Sequence, residues 1–270
     1  MKVIISHDVD HLFRNDHYKD LIYPKLWVRS TLELLKGKYG LSEWFYRMLT
    51  PFSKTRHHIP ELIEFDRAHG IESTFFFGME NGLGMSYSVE VAKEVIQYVV
   101  EQGFDVGVHG IAYNSETDIY SEFNRMKEIL KRDNFGIRTH YVRFDDTTFN
   151  YFNKSGYLFD SSEFDKEKST SIKRPYKVGK LWEFPLVMMD GYLPLKLIEK
   201  KEATLKLIEQ ASSENIPYLT ILFHDYQFCK GYKTEKEWYI WLIEWLEENE
   251  YEFISYRNAI KELEKGLEDE

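Results

Sequence analysis

Short runs rich in β-branched and aromatic residues recur along the chain, separated by longer stretches whose apolar residues follow helical spacing. That alternation is the mark of βα units laid around a largely parallel sheet or barrel. The runs fall at 2–6, 73–77, 104–108, 140–144, 157–160, 182–187, 218–223 and 251–255, about eight strands. Between them, Ile119, Phe123, Met126 and Leu130 share a helix face after a Ser115-x-x-Asp118 start. Trp238, Trp241, Leu242 and Trp245 do the same after a capping box read at Thr234-x-x-Glu237. Ala92, Val95, Ile96 and Val99 make a third face, which Gly103 stops.

One segment breaks the rhythm. Residues 12–59 are too many for an ordinary βα loop, so a helical insertion is expected after the first strand of what is otherwise a single domain spanning 1–270. The insertion holds nine basic and four acidic residues, a local charge of +5, although the whole chain carries −10. It also holds nine aromatic residues, among them Tyr23, Trp27, Trp44, Phe45 and Tyr46. It reads as a small subdomain, or as a lid in which Arg29 or Arg47 meets an anionic part of a substrate.

The acidic balance, 45 Asp+Glu against 35 Lys+Arg, argues against nucleic acid as a partner, where a basic face supplies most of the affinity. The lone Cys229 cannot form an internal disulfide, which fits a reducing compartment. The N-terminal apolar run is too short for a signal peptide, and no stretch approaches the ~18 apolar residues of a membrane span, so a cytoplasmic location is expected.

Polar residues that are awkward in a core stand at the C-terminal ends of the apolar runs. Asp8 and Asp10 follow Val3-Ile4-Ile5, His109 follows Val106-Gly107-Val108, Arg143 closes Tyr141-Val142, Asp160 follows Leu158-Phe159, and His224 follows Thr220-Ile221-Leu222-Phe223. In parallel α/β folds that edge is where active sites assemble. Asp8 and Asp10 are two apart, so on an extended strand both carboxylates face one side while His7 faces the other. Two carboxylates that close call for a cation or a shared proton, and two histidines beside them complete the mixed N/O donor set that divalent ions such as zinc prefer.

In this order the segments resemble the polysaccharide deacetylases of carbohydrate esterase family 4. Ser6-His7-Asp8-Val9-Asp10 is similar to that family's first motif, Ser73-Thr74-Phe75-Phe76-Phe77 to its second strand, and Val106-Gly107-Val108-His109-Gly110 to the opening of its metal-binding histidine motif. Tyr141-Val142-Arg143-Phe144 resembles the arginine motif, 156–162 the segment with the fourth motif, and Ile221-Leu222-Phe223-His224-Asp225 the final Leu-x-His motif. The resemblance implies an α/β fold, a distorted (β/α) barrel of seven to eight mainly parallel strands. It implies Asp8 as general base, Asp10 and His109 as metal ligands, Arg143 as the residue orienting Asp8, His224 as general acid and Asp160 as its partner. The implied reaction is metal-dependent hydrolysis of the linear amide of an N-acetylated or N-formylated sugar, with zinc as the expected ion. A surface-glycan precursor, nucleotide- or lipid-linked, is the expected substrate.

The pattern departs from the family at position 113, where Tyr113 stands in place of a second histidine. That leaves the third ligand to His11, Asn114, Asp8 or water, or leaves the ion weakly held, in which case a catalytically degenerate sugar-binding protein is the alternative. Segment 4–10 also resembles the nucleophile loop of haloacid dehalogenase-like phosphatases, with Asp8 as nucleophile, Asp10 as acid/base, magnesium bound and Asp145-Asp146 as the late acidic pair. The His11-Leu12 that follows is not the small pair expected there, and that reading leaves His109 and His224 without a role.

Overall fold

A computed structural model describes residues 1–18, 21–167 and 171–268. Lys19 and Asp20 of the basic insertion lie outside the described residues. The centre is a curled sheet of nine strands in the order β6-β7-β5-β4-β3-β2-β1-β9-β8, parallel throughout except for β6 against β7, and it forms an open, distorted barrel. Its strands are β1 (Lys2–Val9), β2 (Thr74–Gly78), β3 (Asp105–Gly110), β4 (Ile137–Thr139), β5 (Phe159–Asp160), β6 (Tyr176–Val178), β7 (Leu181–Glu183), β8 (Met188–Met189) and β9 (Tyr218–Leu222).

Strand side chains alternate between two cores. Val3, Ile5, Phe75, Phe77, Val106, Val108, Leu219 and Ile221 pack outward beneath the helices, whereas Ile4, Phe76, Phe159 and Tyr218 join an inner cluster closed by Tyr256, Ala259 and Ile260. Phe75, Phe76 and Phe77 are all fully buried, which is why β2 reads as an unbroken apolar run. Each such ring contributes about 1.5–3 kcal/mol. Gly107 lets the strands close up: a Cβ there would come within 2.7 Å of the Phe76 ring.

The outer helices include α3 (Ile59–Ala68), α4 (Val89–Glu101), α5 (Glu116–Leu130), α6 (Thr148–Ser155), α7 (Leu197–Ser213) and α8 (Lys233–Glu248), and α9 (Tyr256–Glu268) packs on the inner cluster. The expected apolar faces of α4 and α5 are buried, and Ser115 caps α5 through the Asp118 amide. The capping box read at Thr234 is not used, because α8 already begins at Lys233. Among the described residues of 12–59 lie α1 (Ile22–Leu35) and α2 (Leu41–Leu49), flanked by short 3-10 turns.

Two expected strands differ. Segment 251–255 contributes only a single bridge, Val3 to Phe253. The strand expected at 140–144 is instead β4, ending at Thr139, after which Tyr141 and Val142 turn with φ of +62° and +44°. Left-handed backbone is costly for a β-branched residue. It is held by Val142 N–H donating to the Thr139 carbonyl at 2.8 Å and Thr139 Oγ1 donating to the Arg143 carbonyl at 2.7 Å.

Candidate active site

The inner parity of β1 carries Ile4, Ser6, Asp8 and then Asp10 toward the barrel mouth, while His7 faces outward. His7 is fully buried there, Nδ1 2.9 Å from the Phe223 carbonyl and Nε2 3.0 Å from Asp66 Oδ2, so it braces the fold and leaves the mouth to the aspartates. His109 comes from β3, on the far side of β2, and His224 from beyond the neighbouring β9. One short strand further on, β4 delivers two residues, Arg138 and His140.

Three of these side chains converge. Asp10 Oδ1 lies 3.3 Å from His109 Nε2 and 3.2 Å from His140 Nδ1, and those two nitrogens are 3.0 Å apart. The other ring nitrogens face carbonyls: His109 Nδ1 is 3.1 Å from the Arg138 carbonyl, and His140 Nε2 is 3.3 Å from the Leu83 carbonyl. A carbonyl only accepts, so those positions take the protons and leave lone pairs on His109 Nε2 and His140 Nδ1, aimed at each other and at a carboxylate. Asp10 Oδ1 is buried without a hydrogen bond of good geometry. Two lone pairs and an anion at such range are repulsive unless a cation joins them. Tetrahedral bonds of about 2.0–2.1 Å, as zinc makes, place neighbouring ligand atoms about 3.3 Å apart, close to the edges of this triangle. Among the described residues, this is the group of His, Cys, Asp or Glu able to hold a metal ion.

Leu83, which fixes the His140 tautomer, sits between Gly82 and Gly84 in a loop where all three have positive φ, a strained conformation placed against the site.

Asp8 flanks the triangle, Oδ2 3.7 Å from His109 Nε2. Its Oδ1 accepts from Arg138 Nη1 at 2.9 Å. Arg138 is itself fully buried: Nε donates to the Ser161 carbonyl at 2.9 Å, Nη2 donates to Ser161 Oγ and to the Tyr256 hydroxyl at 3.0 Å each, and the guanidinium lies over the Phe76 ring. Burial would lower its pKa, yet the Asp8 charge raises it, so the guanidinium stays charged.

On the opposite side, His224 Nδ1 is 2.8 Å from Asp190 Oδ1, and its backbone N–H donates to Asp190 Oδ2 at 2.6 Å. Burial alone would depress this imidazole, but Asp190 outweighs it and raises the pKa to about 10. His224 Nε2 faces the site, 3.8 Å from Asp10 Oδ2.

Asp8, Asp10, His109 and His224 therefore meet, and two expected partners do not. Arg143 is not bonded to Asp8; it donates to the His140 carbonyl at 3.1 Å and the Ile111 carbonyl at 2.6 Å and lies over the Tyr113 ring, clamping the β3 and β4 loops together. Asp160 is not the partner of His224; it accepts from Ser162 Oγ at 2.6 Å, and burial raises it to about 6. The residues in those positions, Arg138 and Asp190, and the ligand His140 share a signal that parity reveals once strand ends are right: Arg138 and His140 are two apart on β4, as Asp8 and Asp10 are on β1. Asp190 had no such signal, because β8 is two residues long.

His11 stands outside the group that could hold an ion, its ring packed against His17 and Tyr226. Asn114 is exposed. Asp145, half of the acidic pair of the phosphatase reading, accepts from the amides and hydroxyls of Thr147 and Thr148 at the start of α6. Arg47 is buried between Tyr39 and Tyr232, bonded to Glu43 at 2.8 Å and to the Gly231 carbonyl.

No family model matches the sequence, and no curated protein matches it. Solved structures do. A Mycobacterium smegmatis protein classed as a polysaccharide deacetylase superposes with a TM-score of 0.63 at 15% identity, over 98% of this chain and 90% of that one. The carbohydrate esterase family 4 domain of a multidomain xylanase from the hindgut metagenome of Trinervitermes trinervoides gives 0.47 at 11% identity, over 96% and 89%. A peptidoglycan N-acetylglucosamine deacetylase, solved with a hydroxamate, gives 0.48 at 10% identity, over 95% and 86%. This chain has the fold of the polysaccharide deacetylases.

Proposed function

We propose that this single-domain protein is a divalent-metal-dependent hydrolase that removes an N-acetyl or N-formyl group from a sugar. The observation that carries the reading is the triangle of Asp10, His109 and His140, with both imidazole lone pairs turned inward by backbone carbonyls. Because His140 supplies the donor that Tyr113 does not, the donor count favours a working centre over a degenerate one. A divalent ion such as zinc would polarise the acyl carbonyl there and lower the pKa of a water.

The protein's own groups supply the proton transfers. Asp8, oriented by Arg138 through Oδ1, takes the proton of the attacking water on Oδ2. His224, held as imidazolium by Asp190, gives its Nε2 proton to the departing amine, without which the nitrogen is a poor leaving group. A cavity of about 570 Å³ lined by Tyr113, Arg143, Phe144, Glu163 and Lys173 adjoins the ligand loop and offers aromatic and charged surface to a sugar. The substrate we favour is a cytoplasmic precursor of a surface glycan, nucleotide- or lipid-linked. The test is release of acetate or formate from N-acylated sugars by protein stripped of metal and reloaded with zinc, cobalt or manganese. Metal-dependent release supports the reading, and inert protein under every ion and acyl group rejects it.

A further inference from the structure

The two helices of the insertion are inside out. On α2 the buried side chains are Glu43 and Arg47, a charged pair, while Leu41, Phe45 and Leu49 face solvent at 72, 55 and 41% exposure. On α1, Leu21, Val28, Leu32 and Leu35 recur at helical spacing and are 51–77% exposed. Of the 21 large apolar side chains exposed among the described residues, 11 lie between Tyr18 and Phe52. A soluble helix turns its apolar stripe to a core, and here nothing among the described residues covers it.

Cations edge this ridge. Lys25, Arg29 and Lys36 are exposed on α1 and Lys54 follows α2, in a segment of +5 on a chain whose other 222 residues carry −15. We propose that this face docks on the surface of an anionic lipid bilayer. Leucine, phenylalanine and tryptophan interleaved with lysine and arginine bury into the headgroup boundary while the cations meet anionic lipids. A second copy is a poorer occupant, because a two-fold contact would oppose the exposed Lys25, Arg29, Lys36 and Lys54 with the same cations of its partner. Among the described residues no helix is long and apolar enough to cross a membrane, so the attachment is peripheral. The inner side of the same helices, through Glu33 and Arg47, shares a cleft of about 160 Å³ with Asp190 and Tyr226, so docking would set the site's rim toward the bilayer. The inference does not depend on the hydrolase reading.

The test is co-sedimentation of the whole protein with vesicles of phosphatidylcholine alone or mixed equally with phosphatidylglycerol. Binding is expected to the anionic vesicles and to weaken with salt. Leu32→Glu with Leu35→Glu, and separately Phe45→Glu with Leu49→Glu, should each weaken it roughly tenfold or more. Ile198→Glu, an exposed apolar residue on α7, should not. Unchanged melting temperatures would show that the variants fold. Absence of binding, equal binding by the variants, or a dimer in free solution that these substitutions dissociate would overturn the proposal.

Discussion

Arg138, buried beneath the site, donates to Asp8 at 2.9 Å, and Arg143, five residues on, does not reach it. Arg138→Lys keeps the charge but loses the fork that also holds Ser161 and Tyr256. We expect kcat to fall about 100-fold or more with bound metal retained. Arg143→Lys should cost far less in kcat. The reverse ranking in steady-state kinetics would move the orienting role to Arg143.

His140→Ala should weaken zinc binding by more than the roughly 10–100-fold that loss of an outer hydrogen-bond partner costs. His11→Ala and Asn114→Ala should leave it nearly unchanged. Calorimetric zinc titration of the three variants separates these outcomes, and retained affinity in His140→Ala would remove it from the ligand set.

Asp190 is what raises His224 to about 10 against the cost of burial. Asp190→Asn should therefore move the alkaline limb of the kcat/KM profile to lower pH and reduce kcat by about tenfold or more. An unmoved limb would assign it to another group. The linkage has a defined sign: the folded value lies above the ordinary 6.5, so the pair's stabilisation is complete below about 6.5 and is lost as pH rises through about 10.

Burial raises both carboxyls of the Asp160 and Glu183 pair, Asp160 to about 6 and Glu183 well above its ordinary value. The native state thus keeps a proton that the unfolded chain releases, and stability falls as pH rises through about 6. Glu183→Gln should gain stability relative to wild type between about pH 5 and pH 8, read from denaturant midpoints. A constant difference across that range would show that the two carboxyls do not share a proton.

The barrel was legible because long runs such as 2–6 and 218–223 carry their own pattern, and their parity sets Asp8, Asp10 and His224 on the inner side. The β4 region was not. Tyr141 and Val142 have the composition of a strand, but local hydrogen bonds among Thr139, Val142 and Arg143 hold them in left-handed turns, so the true strand lies three residues earlier. A shift of an odd number of positions exchanges the faces, which is how Arg143 took the place of Arg138 and His140 was left out of the expected ligands. The insertion's helices were legible as helices from length and spacing, but nothing local signals that Glu43 and Arg47 turn inward, since their partners Gly231 and Tyr232 are far along the chain.

The central claim is tested most directly by zinc K-edge anomalous scattering from crystals of the zinc-loaded protein. We expect one strong peak within about 2.0–2.2 Å of His109 Nε2, His140 Nδ1 and an Asp10 oxygen. Zinc held elsewhere, or a peak from which the His140 ring is turned away, would contradict the account.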